Sequence, residues 1–151
     1  RLSPDVYRSS SLSAIGVAAH ETGHAVQHAK SYAPLVLRNT MVPVAKIGSN
    51  FAWIIIIGGL LLGFLGLVKI GIILFSAVVF FQLVTLPVEF NASTRAKQML
   101  SSYGILSQSE LQGVHSVLSA AAMTYVAAAA SSVMTLVYFL IRAGLLGGRN
   151  D

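Results

Sequence analysis

The residues best equipped for chemistry lie in Val17 to His28, VAAHETGHAVQH, which holds three of the four histidines of the chain and one of its three glutamates. HETGH is an H-E-x-x-H pattern. On a helix, residues four apart lie one turn above each other, so His20 and His24 can reach one ion. Neutral imidazole nitrogen suits zinc, and Glu21 projects beside the pair, where it can take a proton from a water on such an ion. The competing reading is a polar, solvent-facing helix that happens to carry two histidines. His28 repeats the four-residue spacing, but eight residues of straight helix span about 12 Å, too far for one ion to bind both His20 and His28. Ala25-Val26-Gln27 also lacks the glycine turn that brings in a third histidine in metzincins. His28 is therefore expected to be a surface or hydrogen-bonding residue, and the third ligand has to come from elsewhere.

The elements that position these residues belong to a membrane protein by composition. Of 151 residues, 55% are hydrophobic and 10% charged, and the mean hydropathy is +0.75. That is too apolar for an ordinary soluble domain, and the length allows one domain. The absence of cysteine excludes disulfides, thiol nucleophiles and cysteine metal sites. The net charge of +5 is scattered and has no interleaved aromatics, which argues against a nucleic-acid partner. Ser9, Ser10, Ser11 and Ser13 offer caps for a helix running to about His28.

From Phe51 to Val88 the only charge is Lys69, and this length supplies two membrane spans, 51–68 and 70–88. Gly63, Gly66 and Gly71 flank Lys69 and predict a tight turn there. Gly58, Gly59, Gly63 and Gly66 leave small faces for helix packing. A third span is expected over 117–141, rich in Ala and Ser and closed by Tyr138 and Arg142 as interface anchors. The organisation expected is thus a helical segment bearing HETGH at 1–50, a hairpin at 51–88, a connector with the third ligand at 89–116 and the last span.

A hairpin puts residues 1–50 and 89–116 on one side of the bilayer. That side carries Arg1, Arg8, Lys30, Arg38, Lys46, Arg95 and Lys97; the other carries Lys69, Arg142 and Arg149. Seven against three places the large side in the cytoplasm by the positive-inside rule. Glu89 returns to that side directly after the second span, in VEFNAS. A carboxylate at a membrane boundary is costly unless paired or metal-bound, which makes Glu89 the expected third ligand. The alternative is a snorkelling interface residue paired with Arg95. Two histidines and a glutamate form a catalytic zinc shell with a position left for water. Ser93, one helical turn beyond Glu89, could hold the outer nitrogen of a ligating histidine. Asn91 and Arg95 are candidate donors to substrate or to a developing oxyanion, with His115 and Tyr125 as looser candidates.

The blocks AIGVAAHETGHAVQHAKSYAPL, MVPVAKIGSN, FQLVTLPVEFNASTRAKQML and AAAMTYVAAA resemble the YugP-type neutral zinc metallopeptidases of bacterial membranes, over about Leu2 to Leu140. The resemblance implies a multi-pass protein of the bacterial cell membrane. It implies one zinc on His20, His24 and Glu89, with Glu21 as catalytic acid/base. It also implies a further hydrophobic helix upstream of residue 1. HtpX-type membrane proteases are more distantly similar and carry Asp where this chain has Ser93. The expectation is an all-α integral membrane helical bundle with a cytoplasmic HExxH zinc helix and about three transmembrane helices. Its expected activity is a zinc endopeptidase acting on peptide or protein substrates, membrane proteins included, in contact with the lipid bilayer. Two alternatives stay open: a membrane scaffold or transport component with a structural metal, and a site-2-type intramembrane protease. Diiron membrane oxygenases need several histidine clusters, and four histidines are too few.

Overall fold

The structure, a computed structural model, describes residues 2–146, so Arg1 and Arg149 of the charge count lie outside the described residues. Among the described residues five helices follow in order: α1 Pro4–Arg8, α2 Leu12–Ala29, α3 Ala33–Leu61, α4 Leu65–Ser102 and α5 Gln108–Arg142. No strand occurs among the described residues. The all-helical fold agrees with the expectation, and α3, α4 and α5 are each long and apolar enough to cross a membrane.

The helix ends follow from local chemistry. The Ser11 hydroxyl accepts from the Ala14 amide at 3.2 Å and caps α2. Ser107 caps α5 in a reciprocal box: its hydroxyl accepts from the Glu110 amide at 3.4 Å, while Glu110 Oε2 accepts from the Ser107 amide at 2.8 Å. The turn expected at Lys69 lies earlier, at Leu62–Phe64. Gly63 takes φ +64°, the Phe64 amide reaches back to the Gly59 carbonyl at 2.9 Å, and the Gly63 amide bonds to the Leu60 carbonyl at 3.3 Å. This is a Schellman stop, which needs a residue tolerant of positive φ at Gly63. Lys69 instead sits exposed on α4, where its long stem can carry the ammonium away from apolar neighbours.

The helices also outrun the expected spans. α3 starts at Ala33 and passes through Pro43, and α4 passes through Pro87 without a break. At 38 residues, α4 is about 57 Å long, far more than the ~30 Å hydrocarbon core requires. The second apolar run and Glu89 are therefore parts of one helix rather than a span followed by a separate connector.

The chain forms two compact units. The first, residues 2–36 and 85–126, contains α2, the last part of α4 and the first half of α5. Its core is Ala96, Leu100, Leu111, Val114 and Leu118, with Leu12, Ile15 and Ala19 of α2 packed on it. Gly16 lets α2 approach α5, its Cβ position lying 3.3 Å from a Val114 methyl.

The second unit, 37–84 and 127–146, is built around Ala52, Ile56, Val68, Ile72, Phe75, Val79 and Phe139. Trp53, Phe75 and Phe139 meet edge to face, with ring centroids 5.3–6.4 Å apart. Of the four glycines expected to allow close helix approach, one does so, and other glycines make the remaining approaches. A Cβ on Gly71 would lie 2.5 Å from Ile56 Cγ1, and one on Gly48 2.7 Å from the Leu74 carbonyl, whereas Gly58 and Gly63 face open space. Only Gly59, against Val68, meets a neighbour on the other helix as expected. Ile54, Ile73 and Met134 of this unit are exposed, a surface suited to lipid.

Candidate metal centre

α2 presents HETGH to the polar end of α4. Two helices can bring short side chains together only if their backbones approach closely, and Gly23 provides this: a Cβ there would fall 2.5 Å from the Ala92 carbonyl oxygen. The approach places His20 and His24, one turn apart on α2, opposite Glu89 on α4. His20 Nε2 lies 3.2 Å and His24 Nε2 3.5 Å from the same oxygen, Glu89 Oε2. The rings stand edge to face at 89° with centroids 4.6 Å apart. One ligand atom from each of the three residues lies within 4.8 Å of the others, a set able to hold a metal ion.

The back of each imidazole is held. Gln27 is fully buried, and its Nε2 donates to the Val88 carbonyl at 2.8 Å and to Asn91 Oδ1 at 3.1 Å. A carbonyl oxygen can only accept, so the Gln27 amide is oriented with Oε1 toward His24 Nδ1, 2.9 Å away. His24 Nδ1–H is then the donor, and a neutral His24 turns its Nε2 lone pair toward Glu89. Ser93 Oγ contacts His20 Nδ1 at 3.2 Å in the same supporting role.

This arrangement tests whether a metal fits. A neutral His24 with Nδ1–H bonded to Gln27 turns a bare Nε2 toward the Glu89 carboxylate, two acceptors that repel unless a positive charge lies between them. Glu89 is 3% exposed, and its ion-pair partners among the described residues are the two histidines. Without a metal, a proton supplies that charge. The pKa of His24 is raised above 6.5, first by hydrogen bonding to Glu89, against the opposing effect of burial; Gln27 and the charges of Glu89 and Glu21 add to it. With a cation, all three donors are satisfied at once, and the set of two nitrogens and one oxygen suits zinc.

The other sequence candidates are distributed as follows. Glu21 is exposed on α2, near enough for its charge to act on His24. Tyr125 of α5 lines a small cavity together with His20, Glu89 and Ser93. Asn91 Oδ1 accepts from both Gln27 and Arg95, the latter at 2.7 Å. Asn91 and Arg95 thereby extend the support behind His24. His115 lines a different depression, with Lys97, Gln98, Ser101 and Ser102. His28 is exposed and stands outside the three-residue set. Gln27 is the residue that sequence reasoning missed. Its signal was its place three residues after His24, on the same helix face and next to the apolar Val26.

The family described as "Putative neutral zinc metallopeptidase" matches residues 1–144. The chain belongs to this family. It is also 55% identical over 151 residues to a protein named "Putative membrane protease YugP" from Bacillus subtilis (strain 168), an alignment covering 100% of this chain and 66% of that relative. The chain thus spans just under two thirds of the relative's length. No solved structure matches it. The family name implies zinc, and His20, His24 and Glu89 are the residues of this member that could hold it.

Proposed function

We propose that this member of the neutral zinc metallopeptidase family is a zinc-dependent endopeptidase of the bacterial cell membrane. In this reading, His20, His24 and Glu89 hold one zinc per chain, Glu21 is the catalytic base, and the site faces the cytoplasm. The observation that carries it is the convergence of His20 Nε2, His24 Nε2 and Glu89 Oε2, one ligand atom from each lying within 4.8 Å of the others.

Zinc bound there would act as a Lewis acid toward the attacking water and the scissile carbonyl. The remaining work falls to side chains. Glu21, exposed and beside His20, accepts the proton of the attacking water and passes it to the leaving amine. Gln27 and Ser93 fix the two imidazoles, so that His20 and His24 keep Nε2 directed at the centre. In this reading Tyr125, which lines the same cavity, is the candidate donor to the oxyanion.

That the set among the described residues has three members also favours catalysis over a structural metal, because structural zinc sites are normally closed by four protein ligands. The substrates in this reading are peptides or proteins, membrane proteins included.

The test is Glu21→Gln in the zinc-loaded protein, with cleavage of unfolded β-casein as readout. Zinc content stays at the wild-type level and cleavage falls by about 10²–10⁴-fold, the range for a general base. Undiminished turnover in the zinc-loaded variant would overturn the assignment of Glu21.

A further inference from the structure

Beside the metal centre is a cavity of about 140 Å³, the one whose wall includes His20, Glu89, Ser93 and Tyr125. The rest of its lining is apolar: Val17 of α2, and Val117, Leu118, Ala121 and Ala122 of α5. These α5 positions recur at three- and four-residue steps, so they form one helix face with Tyr125. The hollow has a cause in sequence. Ala121 and Ala122 carry only methyl groups between the larger Val117, Leu118 and Tyr125, and the space over them stays unfilled. The wall is not free to collapse into it, because Leu118 and the adjacent Val114 belong to the packed core of this unit, at 2% and 0% exposure.

We propose that this cavity receives the side chain of a substrate residue flanking the scissile bond, and that it selects an apolar side chain of leucine to phenylalanine size. The inference rests on the peptidase reading of the metal centre. Size supports it, since an apolar protein cavity of roughly 150 Å³ holds a benzene ring. Charge supports it as well. Any charged group would lose its hydration against Val117, Leu118 and the two alanines. Contact with two candidate metal-holding residues puts the cavity within one residue of the bond to be cut. Ala121 sits at its rim and is exposed, so a larger side chain can be introduced there without entering the core.

The test compares two zinc-directed probes on the zinc-loaded full chain in detergent, acetohydroxamate and isocaproyl hydroxamate, by calorimetric titration. The branched chain of the second should bind at least about tenfold more tightly, the scale on which apolar pockets discriminate by added methylenes. Ala121→Phe should abolish that advantage while the chain still takes up zinc. Sites cut in β-casein should be enriched in Leu, Ile, Val or Phe on one side of the bond. Equal affinity of the two probes in the wild type, a comparison that needs no variant, would overturn the pocket while leaving the metal site standing. So would an undiminished preference in Ala121→Phe. Failure of both probes to bind, together with a chain that takes up no zinc, would overturn the metal centre and the pocket with it.

Discussion

Gly23 of α2 and Ala92 of α4 lie so close that a Cβ on Gly23 would come 2.5 Å from the Ala92 carbonyl oxygen. A backbone oxygen in a buried helix cannot swing aside as a flexible side chain can, and Ala92 is wholly buried. Gly23→Ala should therefore push α2 off α4, costing about 1–3 kcal/mol as small-to-large core changes do. It should also carry His20 and His24 away from Glu89 and weaken zinc binding. Thermal melting and zinc titration measure the two effects. Gly58→Ala, with nothing within 4 Å of its Cβ, is the control and should be neutral or slightly stabilising. A Gly23→Ala protein with unchanged melting and zinc affinity would contradict the close-packed site.

Gln27 holds His24 in one tautomer through a buried chain of hydrogen bonds to Val88 and Asn91. Supporting residues of this kind are worth about 10–100-fold in metal affinity. Gln27→Ala should lose that much, and it should also destabilise the chain by leaving the Val88 carbonyl without this donor. Ser93→Ala should weaken zinc through His20 without that backbone effect. Competition titration against a chelator gives the affinities, and equal zinc affinity of Gln27→Ala and wild type would refute the role.

The raised pKa of His24 has a sign that can be measured. A group whose pKa is higher in the folded chain than in the unfolded one adds stability below the unfolded value. That stability is lost as pH rises through the folded value. In the metal-free protein the protonated His24–Glu89 pair therefore stabilises at pH below about 6.5 and fades above it. Zinc needs neutral histidine, so its affinity should climb over the same window, by about tenfold per pH unit for each proton released. The melting-temperature gain from zinc should accordingly be larger at about pH 8 than at about pH 5.5. A gain independent of pH would count against histidine as a ligand.

The parts of this site were legible in the sequence to different degrees, for physical reasons. His20 and His24 follow from helix periodicity alone, because the four-residue step and the Ser11 cap are local. The neighbourhood of Glu89 follows from a longer argument, a carboxylate in an apolar run that a helical hairpin brings back to HETGH. Which glycine stops α3 was not legible, because Gly63, Gly66 and Gly71 near a charge could each stop a helix, and only the backbone shows which takes positive φ. Gln27 escaped because an amide at that position reads as a polar surface residue until α4 covers it. The cavity was invisible, since the space over Ala121 and Ala122 exists only once α5 lies beside His20 and Glu89.

The central claim is that His20, His24 and Glu89 form one zinc site, and zinc content by mass spectrometry of the detergent-purified chain addresses it directly. The wild type should carry about one zinc per chain, and Glu89→Ala should lose it or hold it far more weakly. Glu89→Gln, which keeps the shape of the side chain, should behave likewise if the alanine variant fails to fold. A folded wild-type protein that takes up no zinc when zinc is supplied would contradict the account, as would a Glu89→Gln protein that binds it as tightly as the wild type.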